Sequence, residues 1–180
     1  IAAGVGLVFF SGDKLLGGPQ SGIVVGQTEL VRRLERHPLA RAVRIDKMSL
    51  AGLTATVLHY LKQEAEAEVP IWKMISAGEQ GIKDRVTRWK NQLSLPGEVI
   101  SGRSAIGGGS LPGETLPTWV LALSCEGDAG GPERVMRRLR EADPPVIARI
   151  EDDRVILDPR TVMPEFFFQA EDGIRDAFAA

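Results

Sequence analysis

Lys14 is the side chain in this sequence best placed for covalent chemistry. It lies in Phe9-Phe10-Ser11-Gly12-Asp13-Lys14-Leu15-Leu16-Gly17-Gly18-Pro19-Gln20-Ser21-Gly22-Ile23-Val24-Val25-Gly26, a polar turn between two apolar runs, 5–10 and 23–25. Both runs are short, rich in Val, Ile and Phe, and bounded by glycine, so they read as buried strands of a parallel sheet. Lys14 is then expected at the mouth of a sheet, on a loop held by rigid elements. Partial desolvation there favours the neutral amine, which is a nucleophile towards an aldehyde. A lone lysine in a turn is otherwise an ordinary solvated residue. The second candidate is a pair of arginines, Arg41 and Arg44, in Pro38-Leu39-Ala40-Arg41-Ala42-Val43-Arg44-Ile45-Asp46-Lys47. In helical or turn geometry residues three apart can project to one side. Two converging guanidinium forks would clamp a phosphate or carboxylate. Spacing alone fits as well a solvated basic turn, or ion pairs to Asp46 and Glu35.

The elements expected to position these residues follow in order. Thr28 is a plausible N-cap, with Leu30, Val31 and Leu34 at helical spacing up to His37-Pro38, which stops the helix. Ser49 is expected to cap a long helix whose apolar face is Leu50, Leu53, Thr54, Val57, Leu58 and Leu61. His59 and Tyr60 on it read as packing residues. Glu64–Glu68 reads as an acidic helix end or linker, and Pro70 as a boundary. A helix over 71–93 is predicted, weakened by Gly78 and Gly81, with Trp72, Ile75, Ile82, Val86, Trp89 and Leu93 inward. Trp89 among Arg88 and Lys90 could stack a base, but a core tryptophan flanked by surface charges is the simpler reading. Strands are predicted over 98–104 and 119–125, a helix from Pro132 with Val135, Met136 and Leu139 inward, and a hairpin of 146–150 with 154–158 around Asp152-Asp153. The loop Gly107-Gly108-Gly109-Ser110-Leu111-Pro112-Gly113 is no P-loop, because Pro112 and Pro117 prevent a helix immediately after it. It reads as a close-approach loop, with Ser110 a minor candidate.

The string Ser-Gly-Asp-Lys-Leu-Leu-Gly-Gly-Pro-Gln-Ser-Gly-Ile-Val-Val-Gly resembles the cofactor-lysine segment of the bacterial selenocysteine synthases, the L-seryl-tRNA(Sec) selenium transferases. So do His-Pro-Leu-x-Arg-Ala-x-Arg-x-Asp-Lys over 37–47, Gly-Gly-Gly-Ser-Leu-Pro-Gly over 107–113, Pro-Val-Ile-Ala-Arg-Ile over 145–150 and Leu-Asp-Pro-Arg-Thr-Val over 157–162. The resemblance implies an α/β fold of the pyridoxal-phosphate-dependent, aspartate-aminotransferase-like kind (fold type I). It implies a C-terminal fragment, with only the end of the large domain and the small α+β domain present. The expected domains are 1–45 as the remnant of the cofactor-binding large domain, 46–68 as an interdomain helix, and 69–163 as the small domain. The implied activity converts seryl-tRNA(Sec) to selenocysteyl-tRNA(Sec) with selenophosphate, through a pyridoxal phosphate aldimine and a dehydroalanyl intermediate. Lys14 would hold pyridoxal 5'-phosphate covalently and carry the α-proton. Ser11 would hydrogen-bond the cofactor phosphate, and Arg41 and Arg44 would bind the anionic selenium donor. The implied setting is a cytoplasmic homo-oligomer, dimers assembled into a larger ring, with no membrane. The alternatives are a related lyase or aminotransferase acting on a small amino acid, which would keep Lys14 but need not keep both arginines, or a truncated piece with no function of its own.

The ends and the composition bound this reading. The sequence starts Ile1-Ala2-Ala3-Gly4 and enters an apolar run almost at once, as expected of the C-terminal part of a longer protein. At the other end, Gln169-Ala170-Glu171-Asp172-Gly173-Ile174-Arg175-Asp176 is what CAA GCA GAA GAC GGC ATA CGA GAT encodes, a common sequencing-library adapter. Residues 164–180 are therefore expected to be a translated adapter, to be excluded from fold reasoning. The chain has 180 residues, 43% hydrophobic and 26% charged, the composition of a globular protein. No apolar run approaches the roughly 20 residues of a membrane span. The single cysteine, Cys125, excludes an internal disulfide and reads as a buried, inert thiol. His37 and His59 have no carboxylate or cysteine cluster beside them in sequence, so no metal site is expected. The net charge of −2 is not the footprint of a nucleic-acid-binding domain. Basic surface for a tRNA would have to come from elsewhere.

Overall fold

The structure is a computed structural model and describes residues 3–107, 110–127 and 130–179. Gly108 and Gly109 of the glycine loop lie outside the described residues. The chain divides into two compact units, 1–73 and 74–180. The division falls inside a helix, a few residues beyond the expected boundary at 68/69.

In the first unit, β1 (Leu7–Ser11) and β2 (Gly22–Gly26) form a two-stranded antiparallel sheet in the register Leu7↔Gly26 to Ser11↔Gly22. This corrects the expectation of buried parallel strands. The connection, residues 12–21, is short of the crossover of about a dozen residues or more that a parallel pair needs. Phe9 is 66% exposed, and Phe10, Val24 and Val25 are exposed too. Helix α1 (Thr28–Glu35) starts one residue earlier than expected, because Gln27, not Thr28, occupies the N-cap. Helix α2 (Pro38–Ala42) opens with proline in its first turn, and His37 Nδ1 accepts the Leu39 N–H at 3.2 Å.

Helix α3 (Lys47–Leu61) is capped by Asp46 rather than Ser49. The Asp46 carboxylate accepts the N–H groups of Met48 and Ser49, each at 2.9 Å, and the Ser49 hydroxyl at 2.6 Å. An aspartate outbids serine for the cap because its charge also meets the positive end of the helix. The Ser49 hydroxyl, then its backbone N–H, hold the Asp46 carboxyl below the usual carboxylate range. The face of α3 that is partly covered is Ser49, Leu53, Thr56 and Tyr60. Leu50, Val57, Leu58 and Leu61, expected inward, are exposed. Between Lys47 and Lys62 the helix carries no Asp, Glu, Lys or Arg, so periodicity could not choose between its faces. The corner after α3 is tied by His59 Nδ1 to Glu64 Oε1 at 2.9 Å and by Lys62 to the same oxygen at 3.5 Å. Glu64 is held below its ordinary pKa chiefly by the His59 hydrogen bond. Of the two readings of 64–68, helix end or linker, the structure has a short separate helix, α4 (Ala65–Glu68).

The predicted helix over 71–93 is two: α5 (Pro70–Ser76) and α6 (Glu79–Leu93). The break falls at Ala77-Gly78, with Gly78 at the N-cap of α6, while Gly81 sits within α6. Ile82, Val86, Trp89 and Leu93 are buried as the spacing predicts, at helical steps of three and four. Trp72 and Ile75 are only partly covered.

The second unit is a four-stranded antiparallel sheet in the order β3 (Gly97–Ala105), β4 (Thr115–Ser124), β6 (Arg154–Leu157), β5 (Arg149–Glu151). Asp152 and Asp153, at φ +50 and +56, make the two-residue turn between β5 and β6. Two successive left-handed residues match the twist of a hairpin, and aspartate tolerates the conformation better than most residues. Helix α7 (Gly131–Glu141) buries Val135, Met136 and Leu139. With α6 it covers one face of the sheet, over Leu121, Leu123, Val155 and Leu157. Trp89 is 4% exposed in this core, one face of its ring covered by Phe167 of the C-terminal segment. Cys125 is partly exposed at the end of β4, against an expectation of full burial.

A polar cluster closes this unit. Asp158 accepts Ser104 Oγ at 2.6 Å, Thr118 Oγ1 at 3.2 Å and the Arg160 N–H at 3.0 Å. The Arg160 guanidinium donates to the carbonyls of Met74, Ala77 and Pro117 at 2.9, 3.1 and 2.7 Å. Burial lowers the Arg160 pKa, and Asp158 opposes that. The Leu-Asp-Pro-Arg-Thr-Val string is thus a tether between the end of α5 and the sheet. Finally, 164–178 forms α8, with Phe167, Ile174 and Ala177 buried and the Phe167 ring stacked on Trp89 at 4.4 Å.

Candidate active site

Lys14 sits on the turn between β1 and β2. The turn is fixed by its own backbone: Gly12 N–H donates to Ser21 O at 2.8 Å, Gly18 N–H to Gly12 O at 2.8 Å, and Gly17 N–H to Lys14 O at 2.9 Å. Gly17 has φ +78, and a Cβ there would overlap Val69 Cγ1 and meet Ile71 Cγ2 at 2.9 Å. Only glycine satisfies both the left-handed backbone and that approach. Gly18 and Pro19 lie against α3. A Cβ on Gly18 would reach Thr56 Oγ1 at 3.2 Å, and one on Gly52 would reach Pro19 Cγ at 3.4 Å.

On this fixed turn the Lys14 side chain is 53% exposed. Its one ion pair among the described residues is with Asp13, at 3.9 Å. The expected desolvation is not present, because the β1–β2 face beside it is itself exposed. Ser11 ends β1 three residues before the lysine and is exposed. Arg41 lies in the last turn of α2, and Arg44 beyond its C-cap, Val43. Both are exposed. Neither pairs with Asp46 or Glu35: Asp46 is engaged by the α3 cap, and no ion pair holds either guanidinium among the described residues. The arrangement therefore offers one accessible primary amine, one nearby hydroxyl and two guanidiniums open to an anion. No hydrogen bond or ion pair links Lys14 to either arginine among the described residues. Ser110 donates its N–H to Gly107 O at 3.2 Å within its loop in the other unit.

Sequence reasoning gave two residues beside the lysine turn packing roles only. The Tyr60 hydroxyl shares its proton between Leu16 O at 2.8 Å and Leu15 O at 3.2 Å. Trp72 Nε1 in turn donates to Tyr60 Oη at 2.6 Å. The available signal was chemical rather than periodic. Tyr60 is the only tyrosine in the chain, and a half-buried tyrosine hydroxyl or indole N–H finds a partner.

Comparison with known proteins agrees with this architecture. A solved structure of a D-glucosaminate-6-phosphate ammonia-lyase superposes on 99% of this chain and 45% of its own, with a TM-score of 0.65 at 17% identity. The chain thus has an α/β fold of the aspartate-aminotransferase-like kind (fold type I). The family model described as SelA, L-seryl-tRNA selenium transferase, matches residues 1–163. The chain is 40% identical to the L-seryl-tRNA(Sec) selenium transferase of Carboxydothermus hydrogenoformans, covering 92% of this chain and 36% of that one. It is 42% identical to that of Solidesulfovibrio magneticus, over 90% and 36%, and 44% identical to that of Escherichia coli O17:K52:H18, over 92% and 37%. The chain belongs to the L-seryl-tRNA selenium transferase family, and it spans little more than a third of the length of these relatives.

Proposed function

We propose that this chain supplies the cofactor lysine and the donor-binding arginines of an enzyme that converts seryl-tRNA(Sec) to selenocysteyl-tRNA(Sec) with selenophosphate. The observation that carries the reading is the Lys14 turn: a rigid backbone presenting an accessible amine, in a chain of this family. The residues fit pyridoxal phosphate by their chemistry, with a primary amine for its aldehyde and a hydroxyl, Ser11, for its phosphate. When bound, that cofactor is an electron sink that makes the seryl α-proton acidic. Lys14 Nζ would hold that cofactor through its aldehyde, and the amine, when free, would take the seryl α-proton and return it. Arg41 and Arg44 grip the anionic donor through charge-assisted hydrogen bonds and neutralise the phosphate that leaves. In the whole protein this site works in a homo-oligomer of dimers that form a ring, and the tRNA is held by basic surface outside this chain, whose net charge is −2. The domain roles follow: 1–45 as the end of the cofactor domain, 46–68 as the interdomain helix, 69–163 as the small domain.

The reading extends to the tail. Residues 164–180 are proposed to be translated adapter, in keeping with a family match that ends at residue 163. Their helix is no argument to the contrary, because any segment with apolar residues at 167, 174 and 177 has the spacing to lie on an apolar face. Resequencing the source DNA beyond the Pro164 codon tests this: a continuation that differs from residues 165–180 is expected, and the same codons read from independent genomic clones would refute it.

The test of function is borohydride reduction of the full-length parent with pyridoxal phosphate, followed by mass mapping. A pyridoxyl group on Lys14 that seryl-tRNA(Sec) displaces supports the selenium transferase. Displacement by free serine or another small amino acid would favour the lyase or aminotransferase instead.

A further inference from the structure

We propose that Tyr60, oriented by Trp72, is the positioning residue that fixes the backbone of the lysine turn and so the reach of the Lys14 amine. The inference rests on the reading of Lys14 as the cofactor lysine. The Gly17 N–H to Lys14 O bond closes the turn around Leu15 and Leu16 but leaves the carbonyls of those two residues without a partner inside it. Both are met by one group from α3, the Tyr60 hydroxyl, at 3.2 and 2.8 Å. A hydroxyl has one proton, and an indole N–H can only donate. Trp72 Nε1 at 2.6 Å from Tyr60 Oη therefore occupies a lone pair of that oxygen and leaves its proton for the turn. The donors run one way, from Trp72 to Tyr60 to Leu16, and each bond polarises the next. This chain of donors ties the residues that follow Lys14 to the end of α3 and to the first turn of α5, far away in sequence. Val69 and Ile71 stand close beside Gly17 of the same turn, where a Cβ would overlap the first and meet the second at 2.9 Å. A tyrosine that served only to fill space would be replaced by phenylalanine without loss. A tether would not, since the two carbonyls would lose their donor.

The experiment compares the wild-type full-length parent with Tyr60→Phe and Trp72→Phe. Three readouts are followed: hydrogen exchange of the peptide over 15–18 without cofactor, the cofactor concentration for half-maximal visible absorbance, and the pH midpoint of that absorbance. For Tyr60→Phe the expected result is exchange at 15–18 faster by about tenfold and half-saturation raised by about tenfold, the size of one net hydrogen bond to the turn. The pH midpoint should move as well, because the amine no longer meets the cofactor in one fixed geometry. Trp72→Phe keeps the Tyr60 hydroxyl and should shift all three in the same direction by a smaller factor. Wild-type values in Tyr60→Phe for all three readouts would overturn the proposal. Should Tyr60→Phe fail to fold, Trp72→Phe decides alone: wild-type values for it would overturn the proposal, and a shift would uphold it. A wild-type protein that carries no cofactor on Lys14 would sink the functional reading, while exchange at 15–18 would still judge the tether separately.

Discussion

At the residue scale the site rests on few atoms, and each makes its own prediction. Replacing Arg41 or Arg44 by alanine should weaken donor binding by about 1.5–3 kcal/mol each, the range for hydrogen bonds to charged groups. The measurement is the KM for selenophosphate, and it should rise while cofactor loading at Lys14 stays unchanged. Gly17→Ala combines a left-handed backbone with an overlap on Val69, so it should cost about 1–3 kcal/mol in chemical denaturation of the full-length parent. Lys14, Arg41, Arg44 and Ser11 were singled out in the sequence, as a proposal, because a family string and chemical type point to them locally. Tyr60 and Trp72 were not, because their contacts join segments distant in sequence, and a period of 3.6 says which face a residue occupies but not which carbonyl it meets. The exposure of Lys14 was not legible either, since burial depends on layers that lie outside the two runs beside it.

At the element scale the inward faces of α6 and α7 in the second unit were readable, though α6 was run together with α5, and those of the first unit only in part. Ile82, Val86, Trp89 and Leu93 alternate with charged residues, so periodicity selected one face, and the hairpin announced itself through Asp152-Asp153. Helix α3 lacks that contrast, and its covered stripe is set by the Gly18-Pro19 turn that packs on it. Its cap carries a pH prediction. Asp46 is held below its ordinary pKa when folded, so it favours the folded state above the unfolded carboxylate pKa, and that contribution fades as pH falls through the lowered value. Stability of the wild-type protein followed by denaturant between neutral and acid pH should therefore fall more steeply than that of Asp46→Asn. Parallel curves would refute the assignment. In the second unit Asp158→Ala strips acceptors from Ser104, Thr118 and the Arg160 N–H at once. It should cost about 3 kcal/mol or more, as removal of one partner from a buried charged network does.

At the scale of the whole molecule the two units differ in what they bury. The second has a continuous core from Val86 to Ala177, whereas Val69 is the sole apolar side chain buried in the first among its described residues. Leu39, Val43, Met48 and Leu61 of the first unit are each more than 60% exposed. Class and architecture were legible from end to end, because family strings recur from the lysine turn to Leu-Asp-Pro-Arg-Thr-Val. The antiparallel pairing of β1 with β2 was not, because short apolar runs carry no information on direction. The central claim is that Lys14 is the covalent cofactor residue, and the most direct measurement is borohydride trapping on the full-length parent with residue-level mass mapping, beside Lys14→Ala as control. The account predicts a pyridoxyl adduct on Lys14, absent in Lys14→Ala and removed from the wild type by seryl-tRNA(Sec) before reduction. An adduct on another lysine, retained in Lys14→Ala, would contradict it.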